Sequence, residues 1–142
     1  MLFRSEPIMK KRCIVPSTGY FEWRHEGSKK IPYYIYLKDE PIFSMAGIYD
    51  TWLDKVTREE HTTFSIITTD TNPLTDYIHN TKHRMPAILS PEDEEKWLKS
   101  DLSKTEISSL LKPYDAKLMD AYVIENDFIK KAPTDPSILQ KA

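Results

Sequence analysis

The sequence predicts an α+β fold, mainly antiparallel β, with a few short helices in the second half. Three observations predict it. Aromatic and β-branched runs fill the first half of the chain, a glycine-bearing turn separates two of them, and helix start signals appear only after Thr71. No repeat, low-complexity tract or long linker divides the sequence, so residues 1–142 are expected to form one domain.

The elements follow in order. "RCIVPS" is short, apolar and β-branched. "GYFEWRH" and "IPYYIYLK" flank "EGSKK", a hairpin signal in which Gly27 is free to take positive φ. "PIFSMAGIYDTWL" is another strand, and Gly47 within it marks a bulge or a close backbone approach. "HTTFSIITT" reads as one further strand after the polar connection "DKVTREE". Asn72 and Pro73 then suit an N-cap and first helical residue, giving a short helix that ends near His79 and Asn80. Ser90 and Pro91 repeat that signal ahead of three acids, with Glu92–Lys96 and Glu95–Lys99 as exposed i,i+4 pairs. Ser103 and Glu106 form a capping box that turns Ile107, Leu110 and Leu111 inward. "MDAYVI" returns to extended chain.

Composition narrows the function. The chain is 39% apolar and 30% charged, with no apolar run near the ~20 residues of a membrane span, so no membrane partner is expected. "MLFRSEPIMKK" lacks a stretch of signal-peptide length, and a lone cysteine, Cys13, leaves no internal disulfide. Both point to the cytoplasm. A net charge of −2 argues against holding nucleic acid by bulk electrostatics, although "HNTKHR" and the amino terminus are locally positive. A monomer is expected.

Three stretches could carry chemistry. Glu22 sits among aromatics: either it is a solvent-face strand residue paired across the hairpin, or it is a carboxyl in an aromatic pocket, suited to acid–base work. "YIHNTKHRMPAIL" sets His79, Lys82, His83 and Arg84 at the junction of a helix and an apolar run. His79 and His83 have the i,i+4 spacing of two metal ligands, but no Glu follows His79 and no cysteine cluster exists. No metal and no cofactor are expected, and basic loop residues without a role are the plain alternative. Cys13 lies in an apolar strand and reads as a packed residue rather than a nucleophile.

Taken together, "RCIVPSTGYFEW", "FSMAGIYDTW", "FSIITTDTN", "IHNTKHRMPAILSPEDEEKWL" and "APTDPSIL" resemble, in that order, the SOS-response-associated peptidase (SRAP) family. The resemblance covers nearly the whole chain and implies that the antiparallel strands form an SRAP-like curved sheet or barrel. It implies a DNA damage response protein that captures abasic sites in single-stranded DNA. In the family an amino-terminal cysteine forms a thiazolidine crosslink with the ring-opened sugar, and the protein would be nucleoid-associated when bound. It also implies catalytic roles for Glu22 and His79, which move protons during imine formation and ring opening. Trp23 would stack on DNA and Arg84 would contact phosphate, with Phe21, Met85 and Pro86 as further DNA-binding positions. The sequence departs from the family in having Leu2 where the family has its cysteine, and the family's asparagine–alanine–arginine segment is missing. The chain is therefore expected to be an amino-terminally truncated SRAP domain, inactive as it stands. Cys13 cannot replace the nucleophile, because it has no free α-amine. His79 is five residues before Arg84 where the family's histidine is two before, while His83 is adjacent; the isoleucine–histidine pair favours His79. A non-catalytic single-strand-binding module and a peptidase-like hydrolase are the alternatives.

Overall fold

The computed structural model describes residues 6–142, so Leu2 and the start of the chain lie outside the described residues. The elements are α1 (Glu6–Lys10), β1 (Arg12–Ser17), β2 (Tyr20–Glu26), β3 (Lys29–Leu37), β4 (Phe43–Leu53), β5 (Glu60–Ile66) and β6 (Thr68–Asp70). There follow α2 (Pro73–Ile78), β7 (Arg84–Pro86), β8 (Ile88–Leu89), α3 (Pro91–Trp97), α4 (Lys104–Leu110) and β9 (Met119–Val123). The named pairings β2–β3, β3–β9, β4–β5 and β4–β8 are antiparallel, and the helices are short, as the sequence predicts. The contacts divide the chain into two compact units.

Among the described residues, the first unit comprises residues 6–16, Ser44–Thr69 and Pro86–Lys112. Its sheet runs β1-β4-β5, with β8 paired to β4. Trp97, Ile107 and Ala46 are fully buried in its core together with Leu110 and Leu111. Arg12 is buried there and is held mainly by backbone carbonyls, with the charge of Asp101 acting on it as well. Its guanidinium donates to the Ile8 and Met9 carbonyls at 2.7 Å each, to Trp97 O at 2.7 Å, and to Lys99 O. These carbonyls close the last turns of α1 and α3, where a cation is favoured and free acceptors need donors. Gly47 is a close approach, as expected: a Cβ there would lie 2.8 Å from Cys13 Sγ. Burial pushes the Cys13 thiol pKa up, which suits a packed residue.

Signals local in the chain hold in the structure, and those that depend on distant residues hold less well. Ser103 and Glu106 form the expected capping box. Ser90 starts α3, but its side chain makes no cap bond; Asp93 and Glu94 amides donate to its carbonyl instead. Lys96 pairs with Asp93 at 3.0 Å, three residues away, where Glu92 was expected. The expected "HTTFSIITT" strand breaks at Ile67, whose backbone bonds Ala46 O and Ala87 N. Helix α1 has no counterpart in the sequence reading.

The second unit comprises Ser17–Phe43, Asp70–Met85 and Pro113–Ala142. Its sheet is ordered β2-β3-β9, which leaves β2 at an edge. Gly27, at φ +59°, turns the two-residue Gly27-Ser28 connection from β2 to β3. An aromatic cluster fills one face: the Phe21 ring lies tilted 5.5 Å from Tyr34 and 4.7 Å from Phe128, and Trp23 lies 5.8 Å from Phe128. Helix α2 starts as predicted. Asn72 Oδ1 accepts from Thr75 N at 2.9 Å, and Thr75 Oγ1 accepts from Asn72 N at 3.1 Å.

Candidate functional site

The site is built on the free edge of β2. In an antiparallel strand every second residue points its N–H and C=O away from the neighbour, so Trp23 and His25 share the outer edge. The Trp23 N–H donates to Glu22 Oε1 at 2.9 Å, which fixes the carboxylate against its own strand. The His25 N–H donates to Asn80 Oδ1 at 3.0 Å, and Asn80 Nδ2 donates back to His25 O at 2.8 Å.

The opposite wall comes from α2 and the turn after it. His79 caps the helix, its N–H donating to Thr75 O at 2.7 Å. The next turn closes when the His83 N–H donates to His79 O at 3.1 Å, with His83 in the left-handed region at φ 50°. The fold-back returns the Arg84 carbonyl to His79 Nδ1, 2.8 Å away. A carbonyl only accepts, so the ring proton sits on Nδ1 and Nε2 keeps its lone pair in the neutral ring. The long spacing from His79 to Arg84 is thus absorbed as a turn.

Glu22 Oε2 lies 3.6 Å from His79 Nδ1, and the two side chains are 24% and 16% exposed. The separation exceeds a hydrogen bond, so neither group is locked to the other. Around them opens a pocket of about 740 Å³, also lined by Trp23, His25, Lys30, Thr81, Lys82, Arg84 and Ile129. Glu22 is the one carboxylate among these lining residues, against three permanent cations. Tyr20, two residues earlier on the strand, keeps its hydroxyl buried without a hydrogen-bond partner among the described residues. Burial, and then the charge of Glu22, raise its pKa and hold it protonated. The arrangement offers a carboxylate, an imidazole with one open nitrogen, an indole face and a basic rim.

The sequence model of the family described as SOS response associated peptidase (SRAP) matches residues 2–130. The chain belongs to the SRAP family. It is similar to the abasic site processing protein YoqW of Bacillus subtilis, 36% identical over 137 residues, covering 95% of this chain and 59% of that protein. It is also similar to the abasic site processing protein HMCES of Gallus gallus, 35% identical over 128 residues, covering 75% of this chain and 37% of that one. A crystal structure of a protein from Bacteroides thetaiotaomicron superposes with a TM-score of 0.94 at 79% identity, covering 96% of this chain and 59% of that chain. The chain thus spans less than two thirds of the length of each of these SRAP relatives.

Of the positions that the SRAP resemblance singled out, Glu22, Trp23, His79 and Arg84 line one pocket. Phe21 lies in the aromatic cluster behind it. Met85 is 1% exposed, with its sulfur accepting from the Thr75 hydroxyl at 3.4 Å, so its side chain supports the loop from beneath. Pro86 ends β7, half-buried. His83 faces elsewhere and bonds Asp76 Oδ1 at 2.6 Å. Among the described residues no cluster of His, Cys, Asp or Glu could hold a metal ion. The sequence gives no sign of His25, Lys30 and Thr81 as pocket residues or of Asn80 as their neighbour, while Lys82 stands only in the basic stretch around His79. The hairpin register His25↔Lys30 was the one signal that could have placed Lys30 there.

Proposed function

We propose that this pocket receives the ring-opened sugar of an abasic site in single-stranded DNA, and that Glu22 and His79 move the protons of its capture. The observation that carries the reading is the Glu22–His79 pair, 3.6 Å apart in a pocket rimmed by Lys30, Lys82 and Arg84. Its support from the relatives is their description as abasic site processing proteins.

The chemistry fits the residue types. When an amine adds to the sugar aldehyde, the carbinol oxygen must gain a proton and leave as water while the nitrogen loses one. A carboxyl group can perform both transfers in turn. Opening the cyclic hemiacetal requires a proton to leave the sugar hydroxyl and another to reach the ring oxygen, which His79 can relay through its open Nε2. Trp23 offers a face for an unstacked base, and the three cations suit the flanking phosphates. The cysteine that the family uses as nucleophile is not among the described residues, and Cys13 is packed against Gly47.

The test is fluorescence anisotropy with single strands that carry a tetrahydrofuran abasic analogue, intact single strands, and duplex. Tighter binding to the abasic single strand is expected. Three cationic contacts give a salt slope of about −2, since each single-strand phosphate contact contributes roughly 0.7. Equal affinity for all three, or a slope several times steeper, contradicts the reading.

A further inference from the structure

We propose that Asn80 is a positioning residue, whose side-chain amide grips the free edge of β2 and sets the ring orientation of His79. The inference rests on the reading of Glu22 and His79 as the proton-transfer pair, and adds a residue that touches neither substrate nor reacting atoms.

Strand β2 is an edge, so the outward N–H and C=O of His25 have no strand partner. Asn80 supplies both missing partners from one planar group, accepting at Oδ1 at 3.0 Å and donating from Nδ2 at 2.8 Å. The side chain thus acts as a one-residue strand. The primary amide offers a donor and an acceptor side by side in one plane at any ordinary pH, and glutamine would be a methylene too long. The two bonds tie residues 55 positions apart.

The placement of this clip gives it leverage over His79. Asn80 directly follows His79, and His25 is three residues beyond Glu22 on the same strand. A second tie lies on the other side of His79: the Arg24 guanidinium sits 3.9 Å over the Tyr77 ring and donates to Tyr77 O. His79 is therefore bracketed by links at Tyr77 and Asn80, both reaching β2. Loss of the Arg24 tie would loosen α2. Loss of the Asn80 clip would free the turn, in which His83 holds an unfavourable left-handed backbone that depends on its surroundings. As that turn relaxes, the Arg84 carbonyl leaves His79 Nδ1, and the ring is free to flip its proton to Nε2.

The experiment is ¹⁵N NMR of the His79 ring in the DNA-free 142-residue chain, at a pH where the ring is neutral. Wild type is expected to be mainly the Nδ1–H tautomer. Asn80→Ala should lower the Nδ1–H to Nε2–H ratio at least threefold, and Asn80→Asp, which keeps the acceptor for the His25 amide, should give an intermediate ratio. If Asn80→Ala does not fold, Asn80→Asp carries the test alone. Gly47→Ala, a core change that forces a Cβ against Cys13, serves as a control that lowers stability and should leave the ratio unchanged. A ratio unmoved in both Asn80 variants, or moved equally by Gly47→Ala, overturns the proposal. Because no DNA is present, failure of the abasic-site reading is seen separately, in the anisotropy assay.

Discussion

Two imidazole–carboxylate pairs stand at either end of one short turn, and they are built in opposite ways. His83 and Asp76 meet at 2.6 Å with side chains 56% and 54% exposed. His79 and Glu22 stand 3.6 Å apart with side chains 16% and 24% exposed. The closer pair is a solvated hydrogen bond whose partners satisfy each other, and Asp76 is further occupied by the Thr71 hydroxyl at 2.9 Å. The more distant pair is anchored elsewhere, Glu22 by the Trp23 amide and His79 by the Arg84 carbonyl, so one carboxylate oxygen and one ring nitrogen remain open. Proximity alone is a poor guide to chemistry. Separate anchors leave Glu22 an oxygen free to exchange protons with a third molecule, whereas Asp76 Oδ1 is already engaged by both His83 and Thr71.

The largest expected effect breaks the buried pair. In a version of the chain extended by the family's cysteine-bearing amino-terminal segment, Glu22→Gln should slow adduct formation with abasic single-stranded DNA by ~100-fold or more, the usual contribution of a general acid–base group. Noncovalent affinity should stay within about twofold, because glutamine keeps the shape. Rapid-quench denaturing gels paired with anisotropy separate the two quantities.

Next in size is the stacking face. Trp23→Ala should weaken single-strand binding by about tenfold, in line with ~1–3 kcal/mol for one base–aromatic stack. Titration in the 142-residue chain is sufficient. Unchanged affinity would mean that Trp23 serves the aromatic cluster with Phe128 and nothing beyond it.

The smallest effect belongs to the exposed pair. Hydrogen bonds from His83, and then from Thr71, hold the Asp76 carboxyl below its ordinary value of 3.8. A carboxyl with a depressed folded pKa contributes stability above its unfolded value and loses it as pH falls through the folded one. The stability advantage of wild type over Asp76→Asn should therefore be level in mild acid and shrink as pH drops below that value. Denaturant unfolding at stepped pH checks this. DNA affinity should be unaffected by the same substitution.

What the sequence revealed of this site depended on distance along the chain. The Gly27 turn, the Asn72 cap and the Ser103–Glu106 box are decided within a few residues, and all are present. The break at Ile67 depends on Ala46 and Ala87, which no local pattern foretells. Glu22, Trp23, His79 and Arg84 stood out because the order of the motifs resembles a family. Asn80 did not, since its role depends on a turn folding back onto a strand residue 55 positions earlier. The spacing between His79 and Arg84 pointed to His83 as a rival histidine; only the returning carbonyl gives His79 its place beside Glu22.

The most direct measurement of the central claim sets the two histidines against each other. Single-turnover adduct formation on abasic single-stranded DNA is timed for His79→Ala and His83→Ala in the cysteine-bearing version. The account predicts a loss of ~100-fold for His79→Ala and less than about threefold for His83→Ala. A larger loss from His83→Ala would contradict it, and would assign the proton transfers to the histidine beside Arg84.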